Sequence, residues 1–176
     1  SPAQGEMGFL QIPDNNAVTK KWKFHTISEP GEPHSNGTFK YYHGLGHGDL
    51  NNDGRVDVLI AHGWWEQPKN PTSGKWAFHP YALAKDGVNP ERVSDINVED
   101  LDMDGDNDLI VGGYAVGGGQ GGIGIFDGGS VKPDGTDIQS GHSWVTGAGG
   151  SDQFGFSLAY LEQSGAFPEP YLAVGA

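Results

Sequence analysis

Two stretches of the chain repeat one spacing of side-chain oxygens: Asp49-x-Asn51-x-Asp53-Gly54-x-x-Asp57 and Asp100-x-Asp102-x-Asp104-Gly105-x-x-Asp108. A loop wound around a hard cation offers side-chain oxygens at positions 1, 3, 5 and 9 and a carbonyl at 7, with glycine at 6 for the sharp turn. The position-7 carbonyls belong to Arg55 and Asp106. Calcium accepts about six to eight oxygens in flexible geometry, so four side chains, one carbonyl and water suffice; magnesium's tight octahedron fits such a loop less well. Asp- and Asn-rich hairpin turns that cap their own backbone are the simpler explanation. Four carboxylates crowded into the second stretch weigh against it, because they repel one another unless a cation sits among them. An EF-hand does not fit either. Its position 12 needs a bidentate Glu, whereas Ile60 and Val111 stand there and strand-forming residues surround them. Two calcium sites are therefore expected. The second, with Asp102 where the first has Asn51, is expected to bind more tightly, because ligand charge tunes affinity.

The elements that hold these loops read as strands. Pro and Gly interrupt nearly every window, and no helical stripe survives beyond two turns. Short β-branched or aromatic runs (Trp22–Ile27, Val56–Ile60, Trp76–Tyr81, Leu109–Val111, Ile123–Phe126, Leu172–Val174) are bounded by Gly, Pro, Asn and Asp. The acidic loops recur at an offset of 51 residues, and Trp22-Lys23-Phe24-His25-Thr26-Ile27 recurs as Trp76-Ala77-Phe78-His79-Pro80-Tyr81 at 54. A period near 50 fits a unit of about four strands. A third unit has strand-like Gly155–Ala159 and Tyr171–Ala176, with residues 162–170 in place of the acidic ladder. The expectation is one all-β repeat domain over residues 1–176, its propeller-type blades spanning about 20–70, 71–126 and 127–176.

Composition narrows the partners. Acids outnumber Lys and Arg by 23 to 10, for a net charge of −13. The one basic cluster, Lys20–Lys21–Lys23, is too small to neutralise a nucleic-acid backbone. Cysteine is absent, which excludes a disulfide scaffold and a thiolate zinc site. No apolar run approaches the roughly 18 residues of a membrane-spanning helix, so no membrane insertion is expected. Eight of the 23 acids (Asp49, Asp53, Asp57, Asp100, Asp102, Asp104, Asp106 and Asp108) lie in the two loops.

The loop motif, followed by an apolar strand, resembles the FG-GAP/VCBS repeat that builds the β-propellers of integrin α-subunits and many secreted bacterial proteins. Residues 151–159 and 171–176 are similar to the Phe-Gly and Gly-Ala ends of that repeat. The resemblance covers about Trp22 to Ala176. It implies a calcium-binding module with a structural or adhesive role at the cell surface or in the extracellular space, where calcium is abundant enough to fill weak loops. Closed propellers have about 4–8 blades. Three blades would thus form an incomplete propeller, or one completed by other chains or segments. Self-association through open blade edges, another protein or a glycan are the partners this implies.

A narrower resemblance is carried by His43-Gly44-Leu45-Gly46-His47-Gly48-Asp49 and Gly63-Trp64-Trp65-Glu66-Gln67-Pro68, similar to propellers related to aldos-2-ulose dehydratase. It implies the alternative of a metal-dependent carbohydrate lyase, with His43, His47 and His62 as ligands. The bland alternative is that these histidines are structural beside Trp64 and Trp65, a pair whose own choice lies between stacking on sugar and buried packing. Asp95 and Glu99 could add outer-shell oxygens or face water. Gly119-x-Gly121-x-x-Gly124 fits a dinucleotide fingerprint only formally, because a strand follows it. Asn36-Gly37-Thr38 is an N-glycosylation sequon.

Overall fold

The computed structural model describes residues 5–13, 19–29, 38, 42–81, 83, 92–114, 119–128, 142–150, 152–161 and 171–176. The sequon at Asn36 and the replaced loop at 162–170 lie outside them. The described chain is all-β, in four antiparallel sheets, none of them closed. Strands β1 (Gly8–Gln11) and β2 (Lys23–Thr26) form a hairpin. Then come two four-stranded meanders: β3 (Gly46–Gly48), β4 (Asp57–Ile60), β5 (Gly63–Glu66) and β6 (Ala77–Pro80), followed by β7 (Val93–Glu99), β8 (Asp108–Gly113), β9 (Gly122–Phe126) and β10 (His142–Thr146). Strands β11 (Ser157–Leu161) and β12 (Tyr171–Gly175) form the last pair.

Alternation along β4 and β5 explains how the sheets stack. Successive strand residues point to opposite faces. Leu59 and Trp64 join Val93, Ile96, Val98, Leu109 and Val111 in one core. Their neighbours Ile60 and Trp65 join Ile27 and Trp76 in another, lined by Met7 and Phe9. The first four-stranded sheet is thus covered on one face by the second sheet and on the other by the β1–β2 hairpin. Where the two large sheets meet, β3 lies almost flush on β7. A Cβ at Gly46 would come within 2.7 Å of Ile96, and one at Gly48 within 2.4 Å of Val98. Glycine there is a packing requirement. On the far side, a bulge between Val93 and Asp95 fastens β11 to β7. The Asp95 carboxylate accepts from the Leu158 N–H (2.8 Å), and the Ser94 hydroxyl donates to the Gly155 carbonyl (3.0 Å). Asp95 is therefore a sheet-to-sheet tie.

The sheet boundaries are offset from the units expected at 20–70 and 71–126. Strand β2, expected to open the first unit, pairs instead with β1, and its sequence counterpart β6 closes the first four-stranded sheet. The β1–β2 hairpin reproduces β5–β6 in register: Gly8, Phe9, Leu10 and Gln11 oppose Thr26, His25, Phe24 and Lys23 as Gly63, Trp64, Trp65 and Glu66 oppose Pro80, His79, Phe78 and Ala77. His25 stacks on Phe9 at 4.9 Å, with its Nε2 3.0 Å from Gln11. His79 stacks on Trp64 at 4.3 Å, with its Nε2 2.9 Å from Glu66.

Candidate metal centre

Both acidic loops join the first two strands of a four-stranded sheet, β3 to β4 and β7 to β8. They fold by the same hydrogen bonds. The position-5 N–H (Asp53, Asp104) donates to the carboxylate at position 1 (2.9 and 3.1 Å) and to the side-chain oxygen at position 3 (3.3 and 3.2 Å). The glycine N–H at position 6 donates to the second oxygen of position 1, and the N–H at position 7 to the carboxylate at position 5. Position 4 is left-handed in both, at Asn52 (φ 57°) and Met103 (φ 63°), as is the glycine at 6 (82° and 101°). For Met103, exposed and unbranched but without an Asn side chain to support it, this conformation costs on the order of 1 kcal/mol. These bonds hold the side chains at positions 1, 3 and 5 against the loop's own backbone.

The ninth residue differs from the rest. Asp57 is 0% exposed and Asp108 4%, whereas the other loop acids reach solvent. One oxygen of Asp57 accepts from the Leu50 N–H (3.1 Å), the other from the Gln67 N–H just beyond β5 (2.9 Å). Asp108 repeats this with the N–H groups of Leu101 and Gly128, each at 2.9 Å. These two carboxylates staple the start of the loop to the exit of the third strand. Position 9 is thus a structural acceptor, whatever it also offers an ion.

The loops part company in charge. In the second, oxygens of Asp100, Asp102 and Asp108 lie within 4.8 Å of one another, and so do oxygens of Asp106, Asp108 and Asp127. Asp104 falls outside both groups, its carboxylate taken by the Asp106 N–H. Partial desolvation by the surrounding loop first, then the neighbouring aspartates, push the Asp102 and Asp106 carboxyls above the usual range. In the first loop the Arg55 guanidinium pairs with Asp53, lies 3.7 Å from Glu66, and donates from Nε to the Gln67 carbonyl (2.6 Å). Arg55 and Glu66 occupy the places that Asp106 and Asp127 hold in the second loop. The sequence pointed to Arg55 for its carbonyl; its side chain supplies a fixed positive charge.

Burial drives the Asp57 carboxyl up to about 6, assisted by Asp53 and Asp49 and opposed by its two backbone donors. A folded-state pKa above the unfolded value favours folding at low pH, and that contribution disappears as pH rises through the folded pKa. In calcium-free buffer the unfolding free energy should therefore fall between about pH 4 and pH 7. Urea unfolding at several pH values measures this slope, and Asp57→Asn should flatten it; an unchanged slope assigns it elsewhere.

The remaining candidates separate. His43 and His47 are exposed, and the His62 ring lies 4.7 Å from that of Tyr42. Among the described residues, only aspartates form groups close enough to share an ion. Trp64 and Trp65 are buried in the two cores and present no sugar-stacking face. Gly121 and Gly124 lie at and within β9, so the formal dinucleotide pattern has no helix after it. Asp127 escaped notice in the sequence because it lies 19 residues beyond Asp108. A scan against protein-family models and a search of curated proteins find no match to this chain.

Proposed function

We propose that this chain is a calcium-stabilised module of FG-GAP/VCBS-like blades, with a structural or adhesive role outside the cell. The observation that carries the reading is the duplicate loop. Two segments 51 residues apart, differing in charge and at four of nine positions, adopt one hydrogen-bond scheme, and in the second of them three carboxylates approach closely enough to share an ion. Turn formation alone does not require such crowding of acids, whereas a divalent ion offsets their repulsion. The meander order of the sheets, with β3, β7 and β11 as successive neighbours, supports the blade assignment. Asp49, Asn51, Asp53 and Asp57 with the Arg55 carbonyl would hold one ion, and Asp100, Asp102, Asp104 and Asp108 with the Asp106 carbonyl the other. Extracellular modules of low ligand charge work at about 10⁻⁴–10⁻³ M calcium, which suits the first loop.

Calorimetric titration tests the reading. Calcium should bind at two sites of unequal affinity and magnesium far more weakly; absence of calcium binding up to about 10 mM overturns it. Arg55 should weaken the first site by occupying Asp53 with its own charge. Arg55→Ala should tighten that site several-fold and change the second far less. A weakened first site would instead show that Arg55 supports the loop.

A further inference from the structure

The two acidic loops close on themselves by one hydrogen-bond scheme, but they are fastened differently to the exit of the third strand. Behind the first loop, Gln67 accepts at its carbonyl from Arg55 Nε (2.6 Å) and donates from Nε2 to the Val56 carbonyl (2.9 Å). Its N–H holds the Asp57 carboxylate at 2.9 Å. The Arg55 guanidinium also pairs with Asp53, inside the loop, and lies 3.7 Å from Glu66, outside it. A positive group of the chain's own thus joins the loop to the strand exit. It has carboxylates on two sides and a carbonyl on a third. Hydrogen bonds of this charge-assisted kind are about twice as strong as neutral ones.

The second loop has the same places, filled by residues that cannot make these bonds. Gly128, the counterpart of Gln67, gives its N–H to Asp108 but has no side chain to donate. The Asp106 carboxylate, at the place of Arg55, is an acceptor only. Its Oδ1 is buried without a hydrogen-bond partner. That oxygen lies so near Gly128 that a Cβ there would come within 2.3 Å of it, so no larger residue restores the clasp from the strand side. Oxygens of Asp106, Asp108 and Asp127 lie within 4.8 Å of one another. Three carboxylates therefore gather where the first loop has two carboxylates and a guanidinium. An unpartnered buried oxygen and like charges at short range both favour opening.

We infer that the two loops differ in what they need from a cation: the first stays closed without one, whereas the second opens as a local unit and closes when a divalent ion offsets its charge. Arg55, clasped by Gln67, does within the chain what an ion must do for the second loop. Calcium has to displace that guanidinium from Asp53, so the closed state of the first loop and its weaker affinity have one cause. The opening segment is residues 101–107, bounded on both sides by the Glu99–Asp108 pair that ends the β7–β8 ladder. Segments of this size open independently of global unfolding, and an ion that orders one of them acts as a switch. The calcium half of the inference rests on the sites proposed above. The difference without an ion rests on the charges and hydrogen bonds alone.

Amide hydrogen exchange of the full chain, resolved by residue, tests this within one molecule. The N–H groups of Asp53, Gly54 and Arg55 have the same acceptors as those of Asp104, Gly105 and Asp106. Protection factors, which remove the influence of neighbouring side chains on intrinsic exchange, are compared in EGTA. They should be at least about tenfold lower in the second loop than in the first. Saturating calcium should raise the second loop by at least about tenfold and the first by less than about threefold. Asp106→Arg sets a guanidinium beside Asp104 and Asp127 and should lift the second loop in EGTA to the level of the first. Asp106→Asn, which removes the charge without supplying a cation, should fall between. Equal protection of the two loops in EGTA, or Asp106→Arg and Asp106→Asn loops no better protected than the parent, overturns the inference whatever calcium does. Unequal protection in EGTA that calcium leaves unchanged in both loops overturns the calcium reading and leaves the built-in asymmetry standing.

Discussion

Asp108→Ala should destabilise the calcium-free protein by about 4 kcal/mol, far more than the loss of any exposed acid in either loop. The carboxylate is buried and accepts from the N–H groups of Leu101 and Gly128. Its removal leaves both donors without an acceptor, at about 1–3 kcal/mol each. Asp108→Asn keeps one carbonyl oxygen but turns an NH₂ toward the other donor, and should recover less than half of the loss. The control is Asp102→Ala, at an exposed position with three aspartates crowding it. Without calcium that change should be neutral or slightly stabilising, because it relieves repulsion. Chemical unfolding of the three variants in EGTA measures the differences. If Asp108 were only an ion ligand, its removal would behave like that of Asp102, and near-equal values for the two would remove the staple from the account.

The second large effect concerns calcium itself. An ion at a hundredfold its Kd stabilises the folded state by about 2.7 kcal/mol, which corresponds to a thermal shift of roughly 5–10 °C for a domain of this size. Asp104→Ala should abolish most of the calcium-induced rise in Tm and lower the affinity of the tighter site by at least about tenfold. Asp53→Ala should cost less. Its carboxylate is already shared with the Arg55 guanidinium, so the ion gains less from it. Parallel melting curves and calorimetry with and without calcium provide the comparison. Equal losses from the two substitutions would mean that neither the Asn51/Asp102 difference nor Arg55 sets the order of affinity.

Strands with apolar faces could be read directly: β4, β6, β8, β9 and β12 all lie on β-branched or aromatic runs. Strand β3 could not. It is Gly-His-Gly, selected by the close approach of β7, and that steric demand leaves glycine where strand propensity asks for side chains. Strand β1 is short, and its kinship to β5 rests on a Gly–aromatic–apolar pattern followed by Gln11 in one and Glu66 in the other, which only the register exposes. The ladder of the loops was legible in its spacing because positions 1, 3, 5 and 6 act within a few residues of one another. The staples were not, since the donors at Gln67 and Gly128 stand 10 and 20 residues beyond Asp57 and Asp108. The opposite charges at Arg55 and Asp106 were plain in the sequence. Their consequence appeared only when Glu66 and Asp127 took their places beside them.

The two loops also touch. Asn107 donates from Nδ2 to the Asp49 carbonyl at 2.9 Å and from its backbone N–H to Asn52 Oδ1 at 3.3 Å, and the Tyr160 hydroxyl reaches the Asp100 carbonyl at 3.4 Å. A cation that orders one loop therefore also restrains backbone belonging to the other. If both proposed sites fill, conformational entropy lost at the first ion would not be lost again in full at the second, and the shared asparagine would favour cooperative filling with no movement of either site.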